Sequence, residues 1–361
     1  MSVAANNNSK QVQYYNYGPG AIKHLEGLLE GREGYKLYVI DHYFKDKDLS
    51  SQLPIQAEDY VLWLDTTHEP KTDQIDGFMA QVKELKQGMK PAVVLGIGGG
   101  SSLDTAKAMA NLFNNPGKAE DYQGWDLVQH PGIFKIGIPT ISGTGAESSR
   151  TCVMTNVRSG LKLGMNSDFT IYDQLILDPD LTTTVPRDQY FYTGMDSYIH
   201  CIESLNGSHR NAIGDAFSEE TLKLCRDAFL GEDMQSDENR GKLMVASYLG
   251  GCAIANSYVG VIHPFSAGLS VVLGTHHCIA NCITMMAMEE FYPAEYAEFN
   301  RMAAKQNVVI PRGIASNLLD EQYVQLYQST VIHEKPLKNA LGENFKEILT
   351  LEKVTEIFKR M

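Results

Sequence analysis

At 361 residues the chain is long for a single hydrophobic core, and 43% hydrophobic with 21% charged residues is ordinary for a folded soluble protein. A formal charge of −13 argues against nucleic acid or an anionic membrane as partner, so a small anionic substrate would need a local basic pocket. No apolar run reaches the ~18–20 residues of a membrane span, and residues 1–15 lack a signal pattern. The six cysteines form no CxxC pair, which reads as buried, reduced thiols of a cytoplasmic protein.

After a polar lead, a Gly-Pro-Gly turn and a short helix precede YKLYVID (35–41), a buried strand ending in Asp41. YVLWL (60–64) is a second strand, a helix follows over about 73–89, and PAVVLGI (91–97) is a third strand. Strands alternating with helices at this spacing predict a doubly wound parallel sheet. The third strand runs into GIGGGSSLDTAKA, where Gly98, Gly99 and Gly100 let the backbone approach a pyrophosphate and Ser101 opens the helix. This is neither GxGxxG nor a P-loop, and a tight strand-to-helix turn would use the same glycines. A further strand from Ile133 leads to a loop rich in hydroxyls, with Thr140, Ser142 and Thr144, which suits ribose and phosphate oxygens. A β-ribbon and a last strand, LIL, follow. From Pro186 the periodicity turns helical, over 215–230, 240–256, 279–304 and 351–361. The expected domains are therefore 1–185, α/β, and 186–361, all-α.

Within GMDSYIHCIES, Asp196 and His200 are four apart and share a helix face. VIHPFSAGLSVVLGTHHC adds His263 and His277 in an apolar setting. One carboxylate and three imidazoles form a donor set for Fe(II) or Zn(II) that leaves room for a substrate oxygen.

Taken in order, GGGSSLDTAK, IPTISGTGAE, LILDP, GMDSYIHCIE and the two histidines resemble the iron-type (group III) alcohol dehydrogenase family, whose fold is shared with dehydroquinate synthase. The resemblance spans residues 35 to about 286. It implies Asp196, His200, His263 and His277 as ligands of the catalytic metal. It also implies Gly98, Gly99, Gly100 and Ser101 on the dinucleotide pyrophosphate, and Thr140, Ser142 and Thr144 around the cofactor. Lys162 falls near the nicotinamide ribose and Asp41 at the adenosine ribose, where its charge favours NAD over NADP. A homodimer is the expected assembly.

Three positions depart from the family pattern. Ala267 stands where relatives carry a second histidine, Cys278 replaces a glycine and Ile141 a hydroxyl residue. DYQGWDL, IPTISGTGAESSRT and FYTGMDSYIHCIESL are most similar to the branch that oxidises C8 of 3-deoxy-D-manno-octulosonate, an acidic sugar of lipopolysaccharide biosynthesis, ahead of transamination. On that reading Arg150 is the candidate for the sugar carboxylate. Two rival classes are a dehydroquinate-synthase-like lyase, which calls for basic clusters the second half lacks, and a metal hydrolase, which has no use for the glycine loop.

Overall fold

The computed structural model describes residues 11–361. They form two compact units: residues up to Ile141 with Gly145–Thr184, and Val185–Met361 with Ser142–Thr144.

The first unit runs β1 (Tyr14–Tyr17), α1 (Leu25–Leu29), β2 (Lys36–Asp41), α2 (Asp48–Gln52), β3 (Tyr60–Leu64), α3 (Thr72–Leu85), β4 (Val93–Gly98) and α4 (Gly100–Leu112). It continues with β5 (Gly124–Trp125), β6 (Lys135–Pro139), β7 (Thr151–Asn156), β8 (Leu161–Asn166) and β9 (Gln174–Leu177). Six strands pair in the order β1-β9-β6-β4-β2-β3, all parallel. A parallel sheet is covered on both faces, so its strands are apolar throughout rather than alternating. Leu37 and Val39 of β2 join one core while Tyr38 and Ile40 join the other. From β2 the chain builds outward to β3, then returns to β4 and grows the opposite way. The direction therefore switches between β2 and β4, and the carboxyl ends of these two strands are where open α/β sheets bind ligands.

β7 and β8 form an antiparallel ribbon with β5 alongside β8. β1 lies in the stretch read from the sequence only as a polar lead. Tyr14, Tyr15 and Tyr17 are exposed, so no apolar pattern marks the strand, and its register comes from pairing with Gln174–Leu177 of β9.

The second unit is helical among the described residues: α5 (Arg187–Leu205), α6 (Ala212–Phe229), α7 (Asp237–Asn256), α8 (Ile262–Leu273), α9 (His277–Met285), α10 (Pro293–Lys305), α11 (Asp320–Val331), α12 (Glu334–Leu341), α13 (Phe345–Ile348) and α14 (Leu351–Lys359). The segment of helical periodicity over 279–304 holds parts of two helices, because the chain turns after Met285 and Pro293 opens a new helix. Every residue of α5 from Tyr190 to Ser204 is buried, which marks a central helix. Its polar side chains must then find partners inside the protein. No described helix is long and apolar enough to cross a membrane.

Candidate active site

α5 places Asp196, His200 and Glu203 on one face, at steps of four and three residues. α8 brings His263 in its first turn, and α9 begins at His277. All four expected ligands meet. From the fully buried Asp196, Oδ1 lies 3.6 Å from His200 Nε2 and 3.4 Å from His263 Nε2, and Oδ2 lies 3.6 Å from His277 Nε2. Two donors each about 2.0–2.1 Å from one tetrahedral ion are roughly 3.3 Å apart, so these separations suit groups sharing a cation. Donor atoms of Asp196, His263 and His277 all lie within 4.8 Å of one another. The rings of His200 and His263 stack at 4.7 Å.

The electrostatics point the same way. Burial alone would raise the Asp196 carboxyl, but the imidazoles of His200, His277 and His263 hold it well below the usual carboxylate range. Burial pushes His200 down to about 4, which keeps it neutral with its lone pairs available. Burial also opposes charge on His263, yet Glu203 and Asp196 carry it up to about 9. The pocket thus favours positive charge, and a divalent ion fits its donors.

Glu203 was not anticipated as a site residue. Its buried carboxylate accepts hydrogen bonds from the backbone N–H groups of Ile262 at 2.5 Å and His263 at 3.4 Å, and contacts His263 Nδ1. It therefore closes the start of α8 and turns Nε2 of His263 toward Asp196, the arrangement by which carboxylates orient metal-binding imidazoles. A carboxylate seven residues after Asp196, on the same helix face, was the available signal. Asn281, one turn after His277, also reaches Asp196.

The glycine loop expected to meet the dinucleotide lies at the sheet's switch point. Gly98 has φ +146°, and a Cβ there would fall 2.6 Å from Ser102 Oγ and 3.0 Å from Asp41 Cβ. Only glycine suits both the backbone and the space. α4 starts at Gly100 with no side-chain cap, so the N–H groups of its first turn, including that of Ser101, lack intrahelical partners, a cradle for a pyrophosphate. Thr140 donates its backbone N–H to Gly98 O (3.0 Å), and Gly99 packs near Ile141. Asp41 accepts from Tyr43 N at 3.0 Å and from the Thr66 hydroxyl, so it also organises the turn after β2.

Ser142–Thr144 are grouped with the second unit, where Ser197 Oγ donates to Gly143 O at 2.8 Å. The Ser142 hydroxyl is buried without a hydrogen-bond partner among the described residues. Lys162, on β8, is paired with Glu69 at 2.7 Å. The Arg150 guanidinium is held by Asp126 at 2.5 Å and Asp168 at 3.0 Å, so a sugar carboxylate at Arg150 would compete with these two partners.

Comparison with known proteins fits this geometry. Residues 13–179 match the model of iron-containing alcohol dehydrogenase, and residues 190–317 match that of the Fe-containing alcohol dehydrogenase family, C-terminal. The chain belongs to the iron-containing alcohol dehydrogenase family.

Among curated members of this alcohol dehydrogenase family, sulfoacetaldehyde reductase of Bilophila wadsworthia is 31% identical over 276 residues, 73% of this chain and 69% of that protein. The NAD-dependent methanol dehydrogenase of Bacillus methanolicus is 31% identical over 278 residues, covering 74% and 71%. The crystal structure of sulfoacetaldehyde reductase from Bifidobacterium kashiwanohense, in complex with NAD+, shares the fold. Its TM-score is 0.80 at 21% identity, and the match covers 97% of each chain. The chain is accordingly an oxidoreductase acting on CH–OH groups.

Proposed function

We propose that this enzyme interconverts a primary alcohol and its aldehyde with NAD as redox partner, and that its substrate is the C8 hydroxymethyl group of 3-deoxy-D-manno-octulosonate. The observation that carries the chemistry is the donor set itself: Asp196 within 3.4–3.6 Å of three imidazole nitrogens, beside the orienting Glu203. When bound there, a divalent ion supplies Lewis acidity to a hydroxyl or carbonyl oxygen, and the nicotinamide accepts or returns a hydride.

The protein's own groups set the conditions. Asp196 contributes a single negative charge, so the four-residue donor set leaves a divalent ion net positive toward an oxygen ligand. Glu203 holds His263 in one orientation. Ala267, buried on α8 one turn after His263, has no group to take the hydroxyl proton, which leaves by another route. A methyl in place of an imidazole also gives a long polyol chain more room. Similarity of Asp121–Leu127, Ile138–Thr151 and Phe191–Leu205 to the octulosonate branch supports the choice of sugar.

The test is reduction of NAD, followed by reduced-nicotinamide absorbance, with 3-deoxy-octulosonate against uncharged primary alcohols. The proposal expects a clear preference in kcat/KM for the acidic sugar. No turnover of the sugar, with brisk reduction of a short anionic aldehyde such as sulfoacetaldehyde, would reject it. For the cofactor, the Asp41 carboxylate repels a 2′-phosphate, so NAD should be preferred to NADP and Asp41→Gly should narrow the gap. Equal kcat/KM for both cofactors in the unaltered enzyme would contradict that role.

A further inference from the structure

We propose that Asn281 is a positioning residue of the metal centre, holding Asp196 in the orientation in which it binds the ion; this rests on the metal-dependent reading above. Asn281 lies on α9 one turn beyond His277 and is fully buried. Its Nδ2 donates to Asp196 Oδ1 at 2.6 Å and lies 3.3 Å from both His263 Nε2 and His277 Nε2. The orientation of the amide follows from chemistry. Turned over, it would set its oxygen 2.6 Å from a carboxylate oxygen, two acceptors with no hydrogen between them.

Asp196 needs such a partner. A carboxylate on a short side chain rotates broadly about its last torsion, and the contacts from His200, His263 and His277 are all longer, at 3.4–3.6 Å. The Cys278 thiol, at 3.8 Å from Oδ2, is a weak donor. Asn281 therefore provides this carboxylate with a short hydrogen bond, 2.6 Å from Oδ1. Being neutral, the amide fixes the ligand without cancelling the charge that attracts a cation. It stands to Asp196 as Glu203 stands to His263, so two of the candidate ligands are each oriented by a buried group from the helices that supply the site, Glu203 from α5 and Asn281 from α9. Partners of this kind matter for binding as well as turnover.

The experiment compares full-length enzyme with Asn281→Leu, close in volume but without a donor, and Asn281→Ser, smaller and still able to donate. Zn(II) affinity is measured by competition with a chromophoric chelator, and ligand geometry by the visible spectrum of Co(II)-loaded protein. The proposal expects Asn281→Leu to bind Zn(II) about 10–100-fold more weakly with an altered Co(II) spectrum, and Asn281→Ser to recover part of the loss. Circular dichroism of the chelator-treated proteins checks that α9 is intact. Zn(II) affinity and Co(II) spectra unchanged in both variants would overturn the role of Asn281 while leaving the metal centre standing. Absence of Zn(II) binding by the unaltered enzyme would overturn both.

Discussion

His277→Ala is expected to release the metal and to lower kcat/KM by about a thousandfold or more, the loss that follows when several kcal/mol of Lewis-acid stabilisation disappear. His277 is the cleanest of the three imidazoles to remove. Its side chain is 30% exposed, at the first residue of α9, and no buried carboxylate depends on it alone. His263→Ala should lose the ion too, but it leaves the Glu203 carboxylate buried with only backbone donors, a cost to folding in addition to activity. Glu203→Gln is the graded case. The backbone bonds to Ile262 and His263 survive at the amide oxygen, but the amide N–H group now faces His263 Nδ1 and favours the ring proton on Nε2, the nitrogen turned toward Asp196, so metal affinity should fall about 10–100-fold. Metal content by elemental analysis, with circular dichroism as the check on folding, separates these outcomes. A metal-free His277→Ala enzyme with undiminished turnover would show that the donor set serves another purpose.

Gly143→Ala is expected to be among the most damaging single-methyl changes in the second unit. Gly143 has φ +141°, a conformation other residues adopt only with strain of about 1–3 kcal/mol. Its added Cβ would fall 1.7 Å from the Thr193 carbonyl oxygen, which is backbone of the central helix and has no rotamer to escape into. Either the loop lifts away from α5, breaking the bond from Ser197 to Gly143 O, or α5 shifts at the turn that carries Asp196. The combined cost should be at least about 3 kcal/mol, read as a lower denaturation midpoint, with activity lost together with stability. Gly160→Ala is the control, since Gly160 has positive φ but no atom within 4 Å of its Cβ position. Similar midpoints for the two variants would mean that the contact with Thr193 does not hold the loop.

The four candidate ligands were legible in the sequence for simple reasons. Asp196 and His200 sit at helical spacing inside a largely apolar stretch, His263 is a polar residue among apolar neighbours, and His277 closes the polar turn that follows that apolar run. Charged or ring-bearing groups in buried segments demand an explanation, and a shared ion is the economical one. Glu203 and Asn281 escaped notice because a carboxylate or an amide on a helix has many ordinary uses. Their roles are set by partners 60 and 85 residues away. For Arg150 the sequence showed the position next to the hydroxyl-rich loop but not the partners: Asp126 and Asp168, distant in sequence, pair with its guanidinium.

The sheet followed a similar rule. β2, β3 and β4 declare themselves because strands covered on both faces must be apolar throughout. β1 does not, since an edge strand with exposed tyrosines is specified by its neighbour rather than by its own pattern.

The most direct test of the metal-dependent account is titration of chelator-stripped enzyme with Fe(II) or Zn(II) in the presence of NAD and a primary alcohol, following reduced-nicotinamide absorbance. The account predicts no turnover in the stripped enzyme, recovery that saturates near about one ion per chain, and no recovery in His277→Ala. Full turnover by the stripped enzyme, unaffected by either ion, would contradict it.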